Sequence, residues 1–152
     1  MELGELILER NAFRLQAEAA DWKEAVRIGV DLLVAADVVE PRYYDAIVNM
    51  TQELGPWYVL APGMAMPHGR PEEGVKQQGF ALVTLRTPVN FGDADNDPID
   101  ILITLAAPDA KTMNESSIVQ VVTLLGDDET VARIRAAKTR EDLEAVLAVL
   151  SQ

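Results

Sequence analysis

The sequence predicts an α/β fold, a single-domain sandwich in which helices cover both faces of a mixed β-sheet. Three observations predict it. About half of the 152 residues are apolar (49%) and only 5% are aromatic, with Ala, Val, Leu and Ile dominant, the usage of helices packed on a sheet. Two runs, Phe80 to Leu85 and Ile99 to Ala106, are apolar at successive positions, as interior strands covered on both sides are. Segments with helical spacing stand before, between and after the strand-like stretches, which suits helices laid over one sheet.

Leu3 to Glu9 reads as a short helix, and Phe13 and Leu15 then alternate with polar neighbours as a strand does. Asp21 followed by Glu24 is an aspartate form of the capping box. Behind it Trp22, Ala25, Val26, Gly29, Leu32 and Leu33 share one helical face, so a helix should run to about Ala35. Pro41 suits a first helical position, Tyr44, Ile47, Val48, Thr51 and Leu54 continue with helical spacing, and Gly55 is a natural stop. Trp57 to Leu60 reads as extended, and Ala61 to Arg70 is dense in Pro and Gly. After the two apolar runs the last third is helical: Ile118, Val121, Val122 and Leu125; then Val131 and Ile134; then Leu143, Val146, Leu147 and Leu150, with Thr139 and Asp142 as another capping box. No repeat, low-complexity tract or linker divides the chain, so residues 1–152 are expected to form one domain.

Thirteen Lys and Arg against twenty-five Asp and Glu give a net charge of -12, which repels nucleic acid and anionic lipid and favours a basic protein surface as partner. The absence of cysteine removes disulfides, thiolate catalysis and Cys-ligated metals. Neither a signal peptide nor a membrane span is legible, so a cytoplasmic location without membrane insertion is expected. Asp93, Asp95 and Asp97 are spaced like the opening of a calcium loop, but Pro98 and Thr104 replace the required Gly and Glu. Neither a metal nor a cofactor is expected.

The informative stretch is Ala61 to Gly74, whose prolines and glycines specify a stiff, tightly turned backbone around His68, the only histidine. An idle turn histidine is the ordinary reading of such a residue. Here the alternatives are few: a zinc site wants several ligands, and a Ser-His-Asp triad wants a nucleophile elbow that is absent. Imidazole suits phosphoryl transfer, since one neutral nitrogen attacks phosphorus while the other holds the tautomer through a hydrogen bond. Such a site needs donors for the phosphoryl oxygens, and the Gly69 N–H and Arg70 are the nearest candidates. Glu72 and Glu73 either orient the imidazole or face water. Met64 and Met66 either rim the site or fill the core, and Trp22 and Trp57 read as core or core-edge residues.

Pro67-His68-Gly69 follows Gly63-Met64-Ala65-Met66, between a helical first part and an Ile-Leu-Ile strand. This arrangement resembles the enzyme IIA proteins of the bacterial phosphoenolpyruvate-dependent sugar phosphotransferase system, mannitol/fructose class. Leu15 to Ala19, Gly29 to Tyr44, Val59 to Val75 and Asn96 to Thr104 look like the ascorbate branch, and the resemblance spans nearly the whole chain. It implies a phosphotransferase component and phosphocarrier. His68 would take a phosphoryl group from HPr and give it to a cysteine of the cognate IIB protein, which serves a membrane IIC transporter importing L-ascorbate. Two positions depart from the mannitol-type pattern. Asn114 stands where a second histidine is usual and about Gln52 where an arginine is, so Asn114 and Arg70 become substitute oxygen-binding groups. The competing reading is a regulatory module that phosphorylation of His68 only switches.

Overall fold

In the computed structural model, which describes residues 2–148, α1 (Leu3–Glu9) leads into β1 (Phe13–Ala17), then α2 (Trp22–Ala35) and α3 (Arg42–Leu54). Two short strands follow, β2 (Val59–Ala61) and β3 (Met64–Ala65), and then the long pair β4 (Gly79–Val89) and β5 (Ile99–Ala106). One turn, α4 (Ala110–Thr112), leads through a wide π turn at Met113–Ser117 into α5 (Ile118–Leu125), followed by α6 (Asp128–Ala136) and α7 (Arg140–Ala148). The strands form one mixed sheet in the order β1-β4-β5-β3-β2. Antiparallel β4 and β5 are its centre, with β1 parallel to β4, β3 parallel to β5, and β2 antiparallel to β3.

The centre is buried on both sides, as the continuous apolar runs require. Ala81, Val83 and Leu102 pack with Val26, Leu33 and Ile47 of α2 and α3. On the other face Phe80, Leu82, Ile101 and Ile103 pack with residues of α1, α5, α6 and α7, among them Leu6, Val121, Ile134 and Leu143. Each fully buried aliphatic side chain contributes about 1.5–3 kcal/mol, so the period-two alternation along β4 and β5 fixes which helices cover which face. No helix among the described residues is long and apolar enough to cross a membrane.

Several boundaries differ from expectation for physical reasons. Pro41 occupies the cap of α3 rather than its first turn. The buried stripe of that helix is Tyr43, Ile47 and Thr51, spaced by four, whereas Tyr44 is half-buried beneath the Arg27 guanidinium and Leu54 is exposed. The strand begins at Val59, two residues into the expected run of Trp57 to Leu60, and extends to Ala61, because Pro56 opens a turn whose carbonyl accepts from the Val59 N–H at 3.0 Å. The capping box of Thr139 and Asp142 forms reciprocally, whereas at α2 only half of it does: Asp21 accepts from the Glu24 N–H at 2.9 Å, and the Glu24 carboxylate reaches past it to the Ala20 N–H at 3.1 Å. Leu150 of the last helical face lies outside the described residues.

Gly29 sets the distance between α2 and the sheet. A Cβ there would collide with Thr104 Oγ1 on β5, a hydroxyl that is sealed in the core without a partner among the described residues. Gly29→Ala is expected to lower stability by about 1–3 kcal/mol through overpacking. A Gly29→Ala/Thr104→Ala pair should recover most of the loss in urea unfolding, and purely additive losses would show that the collision is not the cause.

Candidate functional site

The site begins where β3 stops being a strand. Its register against β5, Met64↔Ile101 and Ala65↔Leu102, carried forward three residues, places His68 opposite Leu105. In a parallel ladder Leu105 would donate to the residue before its partner and accept from the residue after it. The first bond exists, Leu105 N–H to the Pro67 carbonyl at 2.9 Å. The second is interrupted by a side chain: the Gly69 N–H donates to Tyr43 Oη at 2.8 Å, and that hydroxyl donates to the Leu105 carbonyl at 2.7 Å. One oxygen atom of α3 is thus inserted into the ladder, and the chain bows away from the sheet at His68.

Residues 66–70 form a strap that is fastened along its length. Met66 N–H donates to the Tyr58 carbonyl at 3.0 Å, and Arg70 N–H donates to the Glu73 carboxylate at 2.7 Å. Beyond it, Arg42 reaches the Glu72 carbonyl, Glu40 N–H donates to the Gly74 carbonyl at 2.8 Å, and Val39 bridges Val75. Gly74, at φ +114, turns the chain where a side chain would press against Glu40 and Arg42. A Cβ at Gly69 would lie 3.2 Å from both Tyr43 and Glu73, so the strap lies close on its support.

His68 is 7% exposed. Its Nδ1 lies 2.8 Å from the Met66 carbonyl, which can only accept, so Nδ1 carries the proton and Nε2 the lone pair. Nε2 has no hydrogen-bond partner among the described residues and is not sealed off, since Thr104 Oγ1 is the one buried side-chain polar atom left unpaired there. The Trp57 indole stands edge-on to the imidazole, ring centres 4.6 Å apart and planes at 81°. Burial lowers the His68 pKa below its ordinary 6.5, with the Met66 carbonyl opposing part of the shift. The group is therefore a neutral, oriented nucleophile at pH 7.

That shift has a consequence for stability. The unfolded chain binds the proton at about pH 6.5, the folded chain only at lower pH, so between those values the unfolded state holds more protons. Stability attributable to His68 is complete above pH 6.5 and falls as pH drops toward the depressed folded value, by about 1.4 kcal/mol per pH unit between the two pKa values. The difference between wild-type and His68→Asn unfolding curves from pH 7 to pH 5 checks this, and a pH-independent difference would refute it.

The other expected site residues are arranged less directly. Gly69 adjoins His68, but its N–H is committed to Tyr43 Oη and is not the free donor expected from the sequence. Arg70 is exposed, with no side-chain partner among the described residues, so its guanidinium is free to swing. Asn114 is exposed on the π turn that follows β5, the strand end on which the strap rests, and Gln52 is exposed in the last turns of α3. No hydrogen bond joins Arg70 or Asn114 to His68 among the described residues. Glu73 holds the Arg70 N–H rather than the imidazole, whose Nδ1 belongs to Met66. Met64 and Met66 are half-buried against the core layers.

Two side chains of the site were not legible as such in the sequence, Tyr43 beneath the Gly69 N–H and Trp57 beside the imidazole. A spacing of four through Tyr43, Ile47 and Thr51 was the available signal for the first. For Trp57, set behind Gly55-Pro56, there was none. The acidic turn is self-contained: Asp97 accepts from the N–H groups of Phe91, Gly92 and Asp93 at 2.8–3.0 Å. Among the described residues no three His, Asp or Glu side chains converge as a metal site would require.

The sequence and the fold both have relatives. Residues 6–149 match the family described as phosphoenolpyruvate-dependent sugar phosphotransferase system, EIIA 2. An ascorbate-specific PTS system EIIA component of Shigella boydii is 59% identical over 143 residues, covering 94% of this chain and 93% of the relative. The mannitol-specific cryptic phosphotransferase enzyme IIA of Escherichia coli superposes with a TM-score of 0.85 at 32% identity, over 98% of this chain and 99% of that one. The enzyme IIA of the E. coli mannitol system, solved in complex with its phosphorylated enzyme IIB, gives 0.78 at 26% identity over 91% and 94% of the two chains. With the family pattern running almost end to end and the fold reproduced, the chain belongs to the EIIA 2 family of the phosphoenolpyruvate-dependent sugar phosphotransferase system.

Proposed function

We propose that this protein is a cytoplasmic phosphocarrier for L-ascorbate uptake. It takes a phosphoryl group from phospho-HPr onto Nε2 of His68 and passes it to a cysteine of the cognate IIB protein, which serves the membrane IIC transporter. One observation carries the reading: His68 Nδ1 is held on the Met66 carbonyl at 2.8 Å while Nε2 is left unpaired. The Nε2 lone pair forms the new N–P bond as the donor's N–P bond breaks, and because Nδ1 already carries the proton, none has to leave the attacking atom. Arg70 and Asn114 supply donors for the phosphoryl oxygens once a partner closes over the strap. The identity to ascorbate-specific relatives supports the substrate, and the relative solved with a phosphorylated IIB supports the partner class.

Incubation with phosphoenolpyruvate, enzyme I and HPr should add one acid-labile, base-stable phosphate. Addition of the ascorbate IIB should then discharge it within a single turnover. Phosphate that is accepted but retained in the presence of IIB would establish the regulatory reading instead, and a chain that takes no phosphate where another IIA protein does would end both.

A further inference from the structure

We infer that Trp57 is a positioning residue for His68: its indole holds the imidazole in the plane that offers Nε2 to an incoming phosphoryl group and then covers one side of the N–P bond against water. The inference rests on the phosphocarrier reading above and adds to it a residue that does not itself bond to phosphate.

Trp57 does little for the core. It belongs to neither apolar layer and is 43% exposed, whereas Trp22 packs into the α2 side of the sheet beside Phe91. The aromatic rings that Trp57 meets are Tyr58, at 5.6 Å, and His68, at 4.6 Å. The backbone that carries it is nonetheless built with care. Gly55 stands at φ +83, which glycine adopts readily, its N–H donates to the Thr51 carbonyl at 2.8 Å, and the Trp57 N–H donates to the Gly55 carbonyl at 2.9 Å. This turn ends α3 and delivers the indole to the histidine.

The imidazole needs such a neighbour. The Met66 carbonyl fixes Nδ1 but is a single point of attachment, about which the ring can still rock. An edge-on aromatic contact supplies the second constraint, and it is a favourable geometry because the positive edge of one ring meets the negative face of the other. In-line transfer depends steeply on aim, since an error of about 1 Å costs roughly a hundred-fold. After transfer, loss to water proceeds when a water oxygen attacks phosphorus, the N–P electron pair returns to Nε2, and inorganic phosphate leaves with the water's protons or releases them to solvent. An indole over one side of the ring removes part of the approach open to that water.

The test compares Trp57→Ala and Trp57→Phe with the wild type in single-turnover phosphorylation over a range of phospho-HPr concentrations, and in the half-life of each isolated phosphoprotein. For Trp57→Ala the maximal transfer rate should fall about ten-fold and the half-life shorten several-fold. Thermal unfolding and the half-saturating HPr concentration should stay near wild type, and Trp57→Phe should recover most of both losses. If alanine disturbs the turn, Trp57→Leu replaces it, retaining bulk without a ring. Unchanged rate and half-life, or a change confined to the half-saturating concentration, would overturn the inference and leave His68 as the acceptor. A wild-type chain that accepts no phosphate would instead remove the reading on which it rests.

Discussion

His68→Asn is expected to take up no phosphate from phospho-HPr while remaining folded to within about 1 kcal/mol of the wild type. The asparagine amide places an N–H close to where imidazole Nδ1 stands, so the Met66 carbonyl, 2.8 Å from that atom in the wild type, keeps a donor. What disappears is Nε2, the nitrogen with a lone pair and no partner. His68→Ala removes both functions together: the carbonyl loses its donor, at about 1–3 kcal/mol for a buried acceptor, and a gap opens beneath Trp57. Comparison of the two variants separates the chemical role from the structural one. Phosphate incorporated by His68→Asn at a rate near wild type would mean that another residue is the acceptor, and the strap would need a different explanation.

The parts of the fold legible in the sequence were those with a local cause. The continuous apolar runs that became β4 and β5, the side-chain caps at Asp21 and at Thr139 with Asp142, and the stop at Gly55 each depend on neighbours within a few positions. The strap was legible as stiff, because proline and glycine restrict or free φ wherever they stand. How it is aimed was not. That depends on Tyr43 reaching Gly69 and Leu105, and on Trp57 reaching His68, contacts that arise only when α3 is laid against the end of the sheet. For the same reason the Gly69 N–H could be counted as a free donor from sequence, since nothing near it in the chain competes for it. The depth of the histidine was also hidden: a Pro/Gly turn suggests exposure, yet support from below and an indole at its side leave little more than one edge open.

Tyr43→Phe should be the most informative change away from the histidine. The tyrosine ring is fully buried and its hydroxyl is part of the hydrogen-bond ladder, accepting from the Gly69 N–H at 2.8 Å and donating to the Leu105 carbonyl at 2.7 Å. Burial and the nearby Glu73 charge raise its pKa far above the ordinary tyrosine value, against the opposing bond to the Gly69 backbone, so it stays protonated and able to donate at any physiological pH. Phenylalanine fills the same apolar space but leaves a buried donor and a buried acceptor facing a ring edge. Each such loss costs about 1–3 kcal/mol, so unfolding in urea should show a deficit of about 2–6 kcal/mol. Phosphoryl transfer should slow as well, because the chain at His68 either loosens or falls back toward β5 to let Gly69 bond Leu105 directly, and both move the imidazole. Tyr58→Phe is the control: Tyr58 is equally buried, and its hydroxyl bonds Thr51 at 2.9 Å, away from the strap. That variant should lose some stability and keep its transfer rate. Equal effects of the two substitutions on transfer would show that the hydroxyl under Gly69 acts only as core and that the inserted oxygen does not aim the histidine.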